Sequence, residues 1–436
     1  MTLRQTQGQP EQRRGLMRRL WLPLGLAVVL HTALAALVPP RFEFDSAFYR
    51  AQAENLVAVG ASLDADGRPE TRYPPGYPLF LAAFLAAGLG YTGAMIAQHA
   101  IWIGLIAAVM WLVLRTSQSI LAAATAGLIA TLDLPGVQSS ISVLSETLAA
   151  ATLTSAVGVT LLSMRAATSA GAIRWAMLAG LLAGATALVR PIAILLGVPL
   201  AIAIVFGAPR RWRVAAAAAL LAVFAILPVL WTVRNARQTG VASLSSLAAI
   251  NLLHYRAAGT LAIRDEGGID ANLLRRRGEL EQAACRNLEA AYQRPCASLS
   301  WAERSGEYAK VAWPVILGDP VASLRQAGRA LAMIVFGGSA SLLSEISGIS
   351  ERAARIIALL YTAPLALLAL LGIPYWWQRD RAFAVLVLLV LLYMFGMALG
   401  PEAYSRFRVP VIALYATLCG GGAAWLRRRV EEELTS

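Results

Sequence analysis

The sequence predicts an all-α polytopic membrane protein. Three observations carry that prediction: an apolar composition, apolar stretches of near-spanning length along most of the chain, and a one-sided distribution of the arginines between them. Hydrophobic residues make up 58% of the 436-residue chain and charged residues 14%, with a mean hydropathy of +0.61. A water-soluble domain of this length could not hide so much apolar surface. A helix needs about 20 apolar residues to cross a hydrocarbon core of roughly 30 Å. Stretches approaching or reaching that length occupy residues 20–38, 91–114, 120–134, 143–164, 175–189, 192–207, 214–233, 354–372, 383–399 and 409–426. They give about ten crossings. The stretch 75–90 is apolar but short, and it predicts an interfacial helix.

The net charge is +13, from 38 basic and 25 acidic side chains. Where these charges fall matters more than their sum, and nothing in their placement points to nucleic acid. Arg13, Arg14, Arg18 and Arg19 precede the first span, which places the N-terminus in the cytosol by the positive-inside rule. Counting crossings from there puts Arg115, Arg165, Arg174, Arg210, Arg211, Arg213, Arg379, Arg381 and the Arg427, Arg428, Arg429 run on that same side. The parity requires 75–90 to stay out of the count. The first span is longer than the apolar core of a signal peptide and no small-residue cleavage site ends it, so a retained anchor is expected. The organisation that follows is a cytosolic basic tail (1–19), an N-terminal transmembrane module with external loops (20–234), an external polar cap with interfacial helices (235–350), C-terminal transmembrane helices (351–426) and a cytosolic tail (427–436).

The same count sends the chemically varied segments to the opposite, external face. These are the 41–78 loop, the turn LDLPGVQSSISVLSET, Arg190, the segment after Arg234, and PEAYSRFRVP. In the first loop, RFEFDSAFYRAQAENLVAVGASLDADGRPETRYPPGYP, Asp45 stands just beyond the hydrocarbon edge and ahead of a helix over 46–59. Two readings of Asp45 stand side by side: an N-cap that accepts backbone N–H bonds, and a general base tuned by burial. Glu43 and Glu54 are weaker rivals for the second role. Glu146, in VLSETLAAATL, either complements the positive end of its helix, with Ser142 or Ser145 as cap, or is a second acid of the same site. Asp133 is a lesser partner.

Arg190, Arg234, Arg406 and Arg408 lie at external helix ends, where the positive-inside bias does not put them. Snorkelling to headgroups accounts for any one of them. Several on the face that also carries the acids suggest an anionic ligand, and the planar guanidinium suits a phosphate. The 235–325 stretch, with RRRGELEQ and WAERSGEY, reads as solvated helices of a cap. Cys285 and Cys296 within it are either a local disulfide of an oxidising compartment or two free thiols. With three cysteines and three histidines there is no zinc spacing, and there is no internal repeat, Walker loop or dinucleotide fingerprint.

The segments FDSAFYRAQAENLVAVG, RYPPGYPLFLAAFLAAGLG, LSETLAAATL, LVRPIAILL, LWTVRNARQTG and SRFRVPVIALYATLCG, spread over most of the chain, resemble those of GT-C superfamily membrane glycosyltransferases. The similarity is to the protein O-mannosyltransferase and aminoarabinose transferase type, and to the RgtA/B/C/D-like group. The resemblance implies a GT-C bundle, a polyprenyl-phosphate-linked sugar as donor, and inverting transfer to a hydroxyl of a lipid, glycan or protein acceptor at the outer face of the cytoplasmic membrane. By the same resemblance Asp45 is the base, and Glu146 orients the acceptor or, in metal-using relatives, a divalent ion. Arg406 and Arg408 then neutralise the leaving polyprenyl phosphate, helped by Arg72 and Arg190. Arg234 and Tyr77 are implied acceptor or cap residues. Ser46 stands where many relatives carry a second acid, which argues against metal binding, and no cofactor is expected. Only a few residues follow the Arg427, Arg428, Arg429 run, so acceptor recognition is expected from 235–325 and the cavity.

The rival class is a transporter or lipid-linked-sugar flippase. It would share the spans and the external charges, but its usual signs, an inverted repeat and an acid in mid-span, are missing. A non-catalytic scaffold needs only the membrane class, and loss of Asp45 would not matter to it.

Overall fold

The structure, a computed structural model, describes residues 10–401 and 404–435, with side chains from residue 20 onward. Of the expected basic tail, 1–9 lie outside the described residues and 10–19 are described as backbone alone. The helices are α1 Pro10–Leu37, α2 Ser46–Val59, α3 Gly76–Ala86, α4 Gly90–Ser117, α5 Ile120–Thr131, α6 Leu134–Ile141, α7 Glu146–Met164, α8 Ser169–Val189, α9 Gly197–Gly207 and α10 Arg213–Thr239. There follow α11 Leu247–Asn251, α12 Ala258–Ala262, α13 Gly268–Tyr292, α14 Trp301–Gly318, α15 Pro320–Phe336, α16 Ala340–Ser347, α17 Glu351–Arg379, α18 Arg381–Met397 and α19 Ile412–Thr435. Among the described residues extended pairing is confined to two isolated bridges, Arg41 with Ser142 and Leu63 with Pro69. The chain is an all-α polytopic membrane protein.

Every stretch expected to cross is helical, but not every one is a full-length helix. Among the described residues seven helices are long and apolar enough to span, or up to nine if two bent pairs each count as one. The stretch 120–134 falls on α5, which bends by 51° into α6. The bend follows Asp133, whose carboxylate caps α6 by accepting from the Gly136 amide, with Pro135 in the first turn. The stretches 192–207 and 383–399 fall on shorter helices, Pro191–Gly207 and Arg381–Met397. At 17 residues, α18 rises about 25 Å, short of a full core. The second bent pair, α15 with α16, lies at the end of the 235–350 segment, where interfacial helices are expected. Arg325 and Arg329 lower its mean hydropathy, yet the pair is apolar enough to qualify.

The bundle is organised around α19. The apolar 18-residue part of Ser405–Thr435 is 83% buried, against 17% for Leu20–Leu37 of α1. Gly420 and Gly422 let the backbones of α5 and α17 pack directly against α19, where a Cβ would collide with Ala122 and Leu368. The outward faces of α1, α10 and α17 expose Trp21, Val29, Leu230 and Leu360, the composition a lipid-facing surface requires. The 235–350 region holds a small core of its own, built from Leu253, Leu280, Leu288, Leu299 and Tyr308. A Cys285–Cys296 disulfide closes the α13–α14 connection.

Candidate active site

The site forms where the first loop is tied to the start of α7. Arg41 exchanges backbone hydrogen bonds with this junction: its amide donates to Ile141 (3.0 Å) and its carbonyl accepts from Val143 (2.9 Å). The Ser46 hydroxyl donates to the Val143 carbonyl at 2.9 Å, and the Tyr49 and Ser145 hydroxyls are 3.1 Å apart. These bonds bring Asp45 and Glu146, a hundred residues apart in sequence, to one place. The other half of the loop is held by Arg234, whose guanidinium donates to the carbonyls of Ser62 (2.6 Å) and Glu70 (2.8 Å). Gly76 seats the Pro-Pro-Gly-Tyr-Pro turn on the end of α8, for a Cβ there would lie 2.7 Å from the Leu188 carbonyl carbon. Arg190 follows immediately.

Asp45 precedes α2 but does not cap it with its side chain. Its Oδ1 accepts from the Tyr73 hydroxyl at 2.9 Å and its Oδ2 from Arg406 Nη2 at 3.1 Å, with the side chain 25% exposed. Phe44, just before it, holds φ +49°, a left-handed conformation unusual for a bulky residue. The Arg406 guanidinium lies 4.6 Å from the Phe44 ring centroid, in cation–π range. Burial, and then the Asp45 charge, raises the Tyr73 hydroxyl well above its usual range, so it stays protonated and remains a donor. The rival acids are engaged elsewhere: Glu43 with Arg41 (2.9 Å) and Gln138 (3.0 Å), Glu54 with Arg50 (2.8 Å) and Tyr91 (3.0 Å).

Glu146 is the first residue of α7 and is 1% exposed, so it does sit at the positive helix end. Arg190 Nη1 lies 2.5 Å from its Oε1 and Arg406 Nε lies 3.8 Å away. Neither approach is aligned as a hydrogen bond: both Glu146 oxygens, and Nε and Nη1 of Arg406, are buried without a hydrogen-bond partner among the described residues. Leaving buried charged groups unbonded is costly. The arrangement is therefore a partly exposed carboxylate and a buried one, bridged by one guanidinium with donors to spare.

Four of the eight residues singled out in sequence thus converge: Asp45, Glu146, Arg190 and Arg406. The other four are placed differently. Arg408 points inward, donating from Nη2 to Asp133 at 2.8 Å and from Nη1 to the carbonyls of Ile334, Val335 and Gly337 at the end of α15. Arg72 lies against Glu70 (3.2 Å) and over the rings of Phe48 (4.2 Å) and Trp301 (5.2 Å). Arg234 is committed to loop carbonyls, and Tyr77 is buried and donates to Gln98 at 3.0 Å. Tyr73 and Tyr49 complete the site and are not singled out by the sequence, while Ser145, expected as a cap of α7, stands at the N-cap without a side-chain cap bond and meets Tyr49 instead. The only signal for Tyr73 was its place beside the proline-rich turn.

A guanidinium stands against each of the two carboxylates, which suits an anion and not a divalent cation. Among the described residues no group of three or more His, Cys, Asp or Glu side chains is placed to hold a metal.

No protein-family model matches the chain. No curated protein matches it in sequence. Solved structures do match in fold. The archaeal oligosaccharyltransferase AglB from Archaeoglobus fulgidus, in complex with an inhibitory peptide and a dolichol-phosphate, superposes with a TM-score of 0.51 at 13% identity, over 94% of this chain and 50% of that one. The Archaeoglobus fulgidus oligosaccharyltransferase tethered to an acceptor peptide gives 0.51 at 13%, over 93% and 49%. ArnT from Cupriavidus metallidurans bound to undecaprenyl phosphate gives 0.38 at 14%, over 92% and 78%. The chain spans about half the length of the oligosaccharyltransferase and shares its fold.

Proposed function

We propose that the protein is a multi-pass membrane glycosyltransferase that moves a sugar from a polyprenyl-phosphate donor to a hydroxyl of a lipid, glycan or protein acceptor. The observation that carries this reading is Arg406, placed between Asp45 and Glu146 with donors unspent. The shared fold with an enzyme solved with dolichol-phosphate supports it. Asp45 takes the proton of the acceptor hydroxyl as that oxygen bonds to the anomeric carbon from the side opposite the phosphate. The bond from that carbon to the phosphate oxygen breaks, its electron pair leaves with the polyprenyl phosphate, and the configuration inverts. Charge grows on the leaving group, so fixed cations near it lower the barrier most. Arg406, with Arg190 behind it, fills that role. Glu146 orients these two cations and the acceptor. Arg408, Arg72, Arg234 and Tyr77 frame the site.

The orientation proposed is both termini cytosolic and the site external, at the cytoplasmic membrane. The arginine asymmetry supports it, as does the disulfide in the cap.

The test is turnover of a panel of polyprenyl-phosphate sugars by purified protein, native against Asp45→Asn at matched folding. Sugar released or transferred by the native chain alone supports the enzyme. Donor bound by both but turned over by neither favours a transporter or flippase, to be followed in vesicles.

A further inference from the structure

Asp45 cannot act as a base while its free oxygen is held by a cation. In the structure both oxygens are occupied, Oδ1 by the Tyr73 hydroxyl and Oδ2 by Arg406. The two partners differ in what else they can do. Tyr73 is 5% exposed and is packed between the rings of Phe48 (5.4 Å) and Tyr49 (5.1 Å), so its hydroxyl has no second place to go. Arg406 makes one aligned hydrogen bond, to Asp45, and leaves Nε and Nη1 without one. Its contact with Glu146 is a 3.8 Å approach, also unaligned. A guanidinium so placed gains two aligned, charge-assisted bonds if it turns to a phosphate.

We propose that Arg406 is a latch on Asp45, shared between this carboxylate and the donor phosphate, so that donor binding is what frees the base. The proposal rests on the glycosyltransferase reading and adds an order to it: donor first, acceptor second. With the donor absent, Arg406 neutralises Oδ2 and no acceptor hydroxyl can be deprotonated. The phosphate then draws Arg406 away. Oδ1 stays on Tyr73, and Oδ2, now open, is the oxygen that takes the proton. The latch also separates the fates of the two acids, since Glu146 has a second cation, Arg190, at 2.5 Å and does not depend on Arg406 alone.

The consequence is that Asp45 competes with the donor phosphate, so removing its charge must strengthen lipid-phosphate binding while it destroys transfer. The experiment is the dissociation constant of undecaprenyl phosphate, carrying no sugar, for the full-length protein in detergent, followed by tryptophan fluorescence or calorimetry. Asp45→Asn is expected to bind roughly fivefold tighter than the native chain, the size of a partly exposed ion pair released. Asp45→Ser, a second variant without the charge, is expected to shift in the same direction, and Arg406→Gln to bind at least tenfold more weakly. Equal or weaker binding by both Asp45 variants overturns the latch and leaves the enzyme reading standing. Native affinity retained in Arg406→Gln overturns it too, because the phosphate then lands elsewhere. If folded native protein does not bind the lipid phosphate at all, the donor reading falls and the latch falls with it.

Discussion

Arg408 Nη2 donates to Asp133 Oδ1 at 2.8 Å in the interior, with the two side chains 1% and 2% exposed. The pair joins three elements, because Arg408 also caps the carbonyl end of α15 while Asp133 caps the amide end of α6. Breaking a buried pair by removing one partner leaves a buried charge alone, at a cost of about 3–5 kcal/mol. Arg408→Ala is expected to lower the unfolding midpoint in detergent substantially. Arg408→Met with Asp133→Leu is expected to recover part of that loss. Folded Arg408→Met/Asp133→Leu protein that has lost lipid-phosphate binding would return Arg408 to the donor.

The contrast between Arg406 and Arg408 marks how far the sequence could be followed. Both stand at the start of the last span, at the end away from the arginine-rich loops, so charge and position treat them alike. What separates them is the 3-10 turn over Ser405–Val411, in which residues two apart face different directions. One guanidinium is sent to the first loop and the other into the bundle. The spans themselves were legible because apolar length is a local property. Asp45 and Glu146 were legible because both fall on the face opposite the arginine-rich loops. Tyr73 was not. It meets Asp45 across 28 residues, through a loop whose path is set by Arg234 and by the Arg41 bridge to α7. No periodicity reports such long-range bonds.

Tyr73→Phe removes one hydrogen bond to the Asp45 carboxylate and little packing. A bond to a charged group is worth about 1.5–3 kcal/mol, so turnover is expected to fall roughly ten- to a hundredfold. The pH profile supplies a second check. The hydroxyl is raised above its ordinary value by burial first and Asp45 second, so it stays protonated through the ordinary tyrosine pKa of about 10. The alkaline side of the native profile should show no Tyr73 limb there. A native limb near that value that vanishes in Tyr73→Phe would contradict the assignment.

Gly76→Ala tests the seat of the proline-rich turn. The new Cβ would meet the backbone of Leu188 and Val189 at 2.7–2.8 Å, atoms that cannot swing aside. Forcing a methyl group into a close backbone contact costs typically 1–3 kcal/mol. Because the displaced end of α8 carries Arg190, activity is expected to fall by more than stability alone explains. Parallel measurement of unfolding and of turnover in the folded fraction separates the two, and unchanged turnover there would detach Arg190 from the site.

The cap carries its own pH dependence. His254 packs on Tyr308, with ring centroids 5.4 Å apart, and lies 3.6 Å from Glu281. Burial lowers its pKa most; Arg277 and Arg304 lower it further, against the opposing pull of Glu281. The folded cap therefore prefers the neutral ring. A group whose folded pKa lies below its unfolded value of about 6.5 binds its proton more readily in the unfolded chain. Its contribution to stability is full above that value and drains away as pH falls through it toward the folded pKa. Hydrogen exchange in α13 and α14 is expected to quicken between pH 7.5 and pH 5, and His254→Gln to flatten that response. The disulfide limits how far the region can open, so reducing it should steepen the acid response in the native chain. If exchange in α13 and α14 ignores pH across this window, His254 is not what holds the cap together.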